Sequence, residues 1–161
     1  MSSRVRKKSS RRSLSLDDVV AKAVLLEVRC HELSARFTEH APPPGDISLR
    51  PDFSVDTGTA PPEPGHFVVA ARVELTGVVK IASDGEEHEV PIVKAHTLYL
   101  LRYGLPDQIT LDAELATSFA NTTGLFNAWP FLREALHDAT RRLGLVPFTL
   151  PLLRLGPPAK K

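Results

Sequence analysis

The sequence predicts an α+β domain: a four-stranded antiparallel sheet followed by a short helix and one long helix. Three observations predict it. Apolar and polar residues alternate with period two in four stretches between Val24 and Tyr103. The connections between those stretches are short or rich in Pro and Gly and hold no helical pattern, which favours antiparallel neighbours. The period then changes, and Leu125, Trp129, Leu132, Leu136, Ala139 and Leu143 recur at spacings alternating between four and three, a heptad-like stripe.

The elements follow in order. Ser15 or Asp17 caps a short helical turn through Asp18, Val19 and Val20. In the first strand Val24, Leu26, Val28 and Cys30 share a face. The phase slips by one, and Leu33, Ala35 and Phe37 carry the apolar set onward, the mark of a bulge or bend. Pro42-Pro43-Pro44-Gly45 ends that stretch. The second strand sets Ile47, Leu49, Phe53 and Val55 against Asp46, Ser48, Arg50, Asp52, Ser54 and Asp56. Pro51 removes a ladder donor, so this strand is an edge or is broken there. Residues 57–66, with two Gly and three Pro, read as a loop. The third strand runs from about Phe67 to Ile81 with Ala71, Val73 and Leu75 inward, and Ser83-Asp84-Gly85-Glu86 is a hairpin turn. The fourth, about His88 to Tyr103, aligns Val93, Ala95, Thr97, Tyr99 and Leu101. Asp112 to Ala120 forms a short helix. The long helix carries Pro130 in its first or second turn, where a missing donor costs least, and stops at Gly144.

A chain of 161 residues is one domain with tails. Residues 1–16 form a disordered basic arm, 17–153 the domain, and 154–161 a flexible tail. The net charge of +1 hides an asymmetry: the arm carries Arg4, Arg6, Lys7, Lys8, Arg11 and Arg12 and no acid, leaving 14 basic and 19 acidic residues in the body, a net of −5. An acidic body argues against nucleic acid as main partner and suits a basic or unfolded polypeptide. Ser10-Arg11-Arg12-Ser13-Leu14 looks like a twin-arginine export signal, but Asp17, Asp18 and Lys22 interrupt the apolar stretch such a signal needs. No apolar run approaches the roughly 20 residues of a membrane span, so no membrane insertion is expected.

Reactive constellations are missing from the pattern. With Cys30 alone, an intramolecular disulfide and a thiolate metal cluster are excluded. Its phase with Val24, Leu26 and Val28 reads as a buried small hydrophobe. His31, His40, His66, His88, His96 and His137 are scattered without metal-ligand spacing, and no GxSxG, Walker or GxGxxG motif is present. The expectation is no enzyme, no cofactor and no metal.

What the pattern does contain is apolar surface. Each large side chain buried contributes roughly 1.5–3 kcal/mol. One sheet has two faces, and a single long helix covers one. The remainder serves symmetric self-association or a groove for apolar ligands, unless the helix covers all the apolar surface of its own sheet.

The segment Thr122-Thr123-Gly124-Leu125-Phe126-Asn127-Ala128-Trp129-Pro130-Phe131-Leu132-Arg133-Glu134 resembles the start of the long helix in the SecB family of protein-export chaperones, with its aromatic-Pro-aromatic-x-Arg-Glu pattern. Arg141-Arg142-Leu143-Gly144-Leu145-Val146-Pro147-Phe148-Thr149-Leu150-Pro151 is similar to the helix end and Pro-x-Leu stretch that follow. The Thr-Thr-Gly lead-in looks closer to the SecB-like chaperones of toxin–antitoxin systems. Coverage is about residues 23–153.

The resemblance implies a cytoplasmic, ATP-independent holdase for unfolded or precursor polypeptides, assembled as a tetramer, a dimer of dimers with long helices between two sheets. It makes Phe37, Phe53, Val55, Tyr99 and Leu101 groove candidates. Leu125, Trp129, Leu132, Leu136 and Leu143 are assigned to helix packing or assembly. A dedicated antitoxin chaperone is the first alternative and a non-chaperone oligomeric scaffold the second. In the export chaperone, acidic residues on the outer sheet face dock the translocation ATPase. Here Glu32 stands near such a place, but Arg36 appears where a second acid is expected, and residues 154–161 leave little room for a second C-terminal helix. Both departures weaken the expectation of that docking.

Overall fold

The computed structural model describes residues 14–38, 50–83, 86–106, 109 and 111–153. Most of the basic arm, the tail from 154 onward, Ile47, Leu49 and the Pro42–Gly45 stretch lie outside the described residues.

Helix α1 spans Leu16–Lys22. Ser15 rather than Asp17 is its cap: its Oγ accepts the Asp18 N–H while the Asp18 carboxylate takes the Ser15 N–H at 3.1 Å, a capping box. Val19 anchors the turn in the core.

Strands β1 (Val24–Phe37), β2 (Arg50–Thr59), β3 (His66–Ser83) and β4 (Glu86–Gly104) form one antiparallel sheet in the order β1-β4-β3-β2. The long β3–β4 hairpin is central, and β1 and β2 are edges, which accommodates Pro51. The phase slip in β1 is a bulge between Cys30 and Glu32. It keeps Val28, Cys30, Leu33, Ala35 and Phe37 on one face, opposite Leu101, Tyr99, Thr97, Ala95 and Val93. A second bulge between Leu25 and Glu27 corrects the start of the strand: Leu25 lies opposite Tyr103, and Val24, paired with Gly104, falls on the other face from Val28. The expected loop from residue 57 is also corrected. Thr57, Gly58 and Thr59 pair with Ala71, Ala70 and Val69, because a regular neighbouring strand outweighs the turn preference of one glycine.

The helical part differs from two separate helices. Helix α2 (Ala113–Phe119), capped by Asp112 on the Leu115 N–H at 2.7 Å, passes through a π-helical turn (Ala120–Gly124) directly into α3 (Leu125–Arg142). Pro130 therefore sits well inside a continuous helix, on its exposed side, where solvent can take the carbonyl left without a donor. At Gly124 the helix touches the sheet: a Cβ there would stand 2.9 Å from Val69 Cγ1. The stripe faces the sheet, with Leu132 and Leu136 fully buried. Gly144, at φ +75°, ends the helix, with Leu145 N–H on Thr140 O and Gly144 N–H on Arg141 O, both bonds of a Schellman motif.

Residues 145–153 then run back in irregular conformation as a strap. Phe67 stacks on Tyr103 at 5.2 Å, and Phe119 meets both edge-on at 5.1 and 4.9 Å, forming the aromatic centre of the core. A smaller cluster of Val79, Ile92 and Val93 lies beneath Leu143 and Leu145. Among the described residues no helix is long and apolar enough to cross a membrane.

Candidate functional site

Helix α3 packs chiefly on β4, meeting β1 on one side and β3 on the other, so the sheet has a flank on each side of it. The two flanks differ. On the β2 side the strap fills the space. Phe148 packs on Phe53 at 5.8 Å, Leu150 is 0% exposed, and Leu153 and Val55 join the core. Three polar contacts hold the strap: the Phe148 N–H on Thr140 Oγ1 at 2.8 Å, Trp129 Nε1 on Pro151 O at 2.9 Å, and His137 Nδ1 with Thr149 Oγ1 at 3.0 Å.

On the β1 side no strap of described residues fills the corresponding space. Leu33 is 47% and Phe37 40% exposed although both point to the helix side of the sheet. Phe131 of α3, also exposed, meets the Tyr99 ring at 5.8 Å. An open trough of about 450 Å³ follows, lined by Leu33, Tyr99, Ala135, Glu134, His137, Asp138 and Arg141. Burial, then the neighbouring Cys30 and Glu134, raise the Tyr99 hydroxyl above its ordinary 10.0. Asp138, beside Arg141 and Arg142 at 3.2 and 2.6 Å, is held below its usual carboxylate value mainly by the Arg141 hydrogen bond. The trough thus has an apolar floor, a charged rim and, along its side, an edge strand whose outer edge no described residue pairs. That combination accepts an extended polypeptide: pockets for apolar side chains beside free ladder groups.

The groove candidates separate on this geometry. Phe37 and Tyr99 stand on the open flank. Val55 stands half-buried on the strap's flank, and Phe53 there stays 36% exposed although Phe148 packs on it. Leu101 is 0% exposed beneath the helix, in the core rather than in either flank. Of the helix residues, Trp129, Leu132 and Leu136 are buried within the single chain, while Leu125 and Leu143 are half-buried. Of the residues lining the trough, the groove candidates include only Tyr99; Leu33 and the helix residues Glu134, Ala135, His137, Asp138 and Arg141 are not among them, nor are Cys30 and Phe131 beside Tyr99. Cys30 is exposed, contrary to the buried hydrophobe expected. Phe131 lies in the quoted motif and one residue from the stripe, which is the signal that could have found it.

The outer sheet face is mixed, with Leu98 and Leu100 of β4 set among charged side chains. Glu32 bonds His96 at 2.8 Å and Glu27 pairs with Arg102 at 3.4 Å, both across β1 and β4. The His96 hydrogen bond holds the Glu32 carboxyl below its usual 4.5. Among the described residues no group of three His, Cys, Asp or Glu is placed to hold a metal ion.

No protein-family model matches the chain. Two SecB-like chaperones of Mycobacterium tuberculosis, Rv1957 of strain H37Rv and MT2006 of strain CDC 1551, are each 48% identical to it over 40 residues, 25% of this chain. The matched segment spans 22% of the length of those relatives. The solved structure of the M. tuberculosis Rv1957 SecB-like chaperone, in complex with a ChAD peptide from the Rv1956 HigA1 antitoxin, superposes with a TM-score of 0.70 at 23% identity, covering 86% of this chain and 95% of that one. The chain has the fold of that SecB-like chaperone, and it resembles SecB-like chaperones in sequence over a quarter of its length.

Proposed function

We propose that the protein is a SecB-like chaperone that holds extended, non-native polypeptide without nucleotide, in the cytoplasm, as an oligomer of the dimer-of-dimers kind. The observation that carries the reading is the open β1 flank. Leu33, Phe37, Tyr99 and Phe131 present apolar surface that the described residues leave accessible beside a strand edge that none of them pairs. Sequence-tolerant binding needs many weak apolar contacts and backbone pairing, and this flank offers both. Sister subunits and clients divide such surface between them.

An antitoxin segment is the client best supported, because the similar structure Rv1957 is a complex with an antitoxin peptide. Docking to a translocation ATPase through outer-face acids is less favoured: Glu32 is engaged by His96, and Arg36 takes the expected place of the second acid.

The test is suppression of aggregation of a chemically unfolded protein without nucleotide, run beside native mass spectrometry. Suppression at stoichiometric excess and a mass that is a multiple of 17.6 kDa are expected. No suppression at several-fold excess overturns the holdase reading in favour of a scaffold. A 17.6 kDa monomer at micromolar concentration overturns the assembly.

A further inference from the structure

The outer sheet face carries a second surface, on the side away from the helix and its trough. Arg36 of β1 lies directly opposite Lys94 of β4, and Thr76 of β3 continues that row. The next row places Ser34, His96 and Glu74 side by side. Like charges directly opposite on neighbouring strands repel, and such a pair is ordinarily relieved by a neighbouring acid. Here it is not: among the described residues no carboxylate reaches salt-bridge distance of Arg36 or Lys94, and the hydroxyls of Ser34 and Thr76 make no side-chain hydrogen bond. These groups line one concavity of about 440 Å³. Two cations and two hydroxyls converge there, a set complementary to carboxylates.

The same face limits how long an anionic partner can be. Glu74 closes the β3 side of the concavity, and a neighbouring hollow is lined by Ser54, Asp56, Arg72 and Glu74. Glu32 with His96 closes the next row of β1 and β4. A nucleic-acid strand, charged at every nucleotide, would run onto these acids. A short cluster of two or three carboxylates would not.

We propose that the β1–β4 half of the outer sheet face is a docking surface for a short acidic segment of a partner protein, held by Arg36 and Lys94. It is separate from the trough, so a client and this partner can be bound together.

The test is fluorescence anisotropy of the full chain with a labelled eight-residue peptide holding three consecutive Glu, at several salt concentrations. Binding that weakens as salt rises is expected, with a loss of about tenfold or more in Arg36→Glu/Lys94→Glu, since each exposed charge–charge contact is worth a few-fold and reversal adds repulsion. A matched peptide with three Lys should bind the double variant better than the parent. Both side chains are exposed, so the variant should keep its circular dichroism and its suppression of aggregation. An acidic peptide that binds parent and variant alike, or does not bind at millimolar concentration, overturns the proposal. So does a twelve-nucleotide single strand that binds more tightly than the peptide and is lost in the variant. The aggregation assay on the same variant reports on the trough alone, so the two readings fail separately.

Discussion

The flanks of the long helix contrast two ways of treating apolar surface. On the β2 side the chain supplies its own cover, a strap whose Leu150 is as buried as any core residue. On the β1 side the same helix, over the same sheet, leaves Leu33 and Phe37 bare. The two edge strands carry similar apolar side chains, so composition does not cause the difference. Connectivity does: the strap leaves the helix end at Gly144 and can pack along only one side. The covered flank belongs to stability and the bare flank is available for recognition.

Paired truncations should make that division measurable. Leu150→Ala is expected to cost roughly 2–5 kcal/mol of unfolding free energy, as for other fully buried leucines. Leu33→Ala should lie within about 0.5 kcal/mol at high dilution, where an exposed side chain loses little. Chemical denaturation followed by Trp129 fluorescence measures both. Equal costs at nanomolar protein would break the comparison, since something in the single chain would then cover β1. A Leu33→Ala cost that grows with protein concentration would sharpen it, assigning the bare flank to assembly.

Gly124→Ala should come next in size. The added Cβ meets Val69 Cγ1 at 2.9 Å, where the helix rests on the sheet, so helix or strand must move. Overpacking of this kind costs about 1–3 kcal/mol. Raising that end of the helix widens both flanks, and only the covered one depends on close packing. Hydrogen exchange should therefore quicken at the strap amide of Phe148, which donates to Thr140 Oγ1, while exchange at the already exposed edge of β1 changes little. Faster exchange confined to β1 would reverse the assignment of the two flanks.

Much of this was legible in the residues, and the illegible parts have physical causes. Period two placed all four strands, and the displaced phase after Cys30 located a bulge. The three–four stripe put Leu132 and Leu136 on the sheet, and Gly144 marked the helix end. The second bulge was hidden because Val24, Leu25 and Leu26 are all apolar, so a one-residue slip leaves no trace in the pattern. The π-helical turn was hidden because Asn121, Thr122 and Thr123 read as a break, while bonding into a continuous helix depends on the close approach at Gly124. The site was the least legible part. Alternation states which face a residue occupies, not whether a helix reaches it. Cys30 and Leu101 share a face, yet one is exposed and the other buried, because strand order and helix placement are tertiary.

The smallest expected effect concerns how the bare edge stays attached. With little apolar cover, β1 relies on its ladder to β4 and on cross-strand pairs of the outer face, of which Glu32–His96 at 2.8 Å is one. The Glu32 carboxyl is held below 4.5, chiefly by the His96 hydrogen bond and then by the charge of His96. A folded-state value lower than the unfolded one contributes stability above the unfolded value, and that contribution is lost as pH falls through the lowered value. Glu32→Gln should thus shift the urea midpoint slightly downward at pH 6, and the gap to the parent should close as pH drops below 4.5. The pair is open to solvent, so added salt should shrink the gap as well. A gap that persists unchanged at pH 3 would mean that the carboxylate is not what fastens this edge, leaving the backbone ladder and the half-buried Val28 and Ala35 to hold β1 in place.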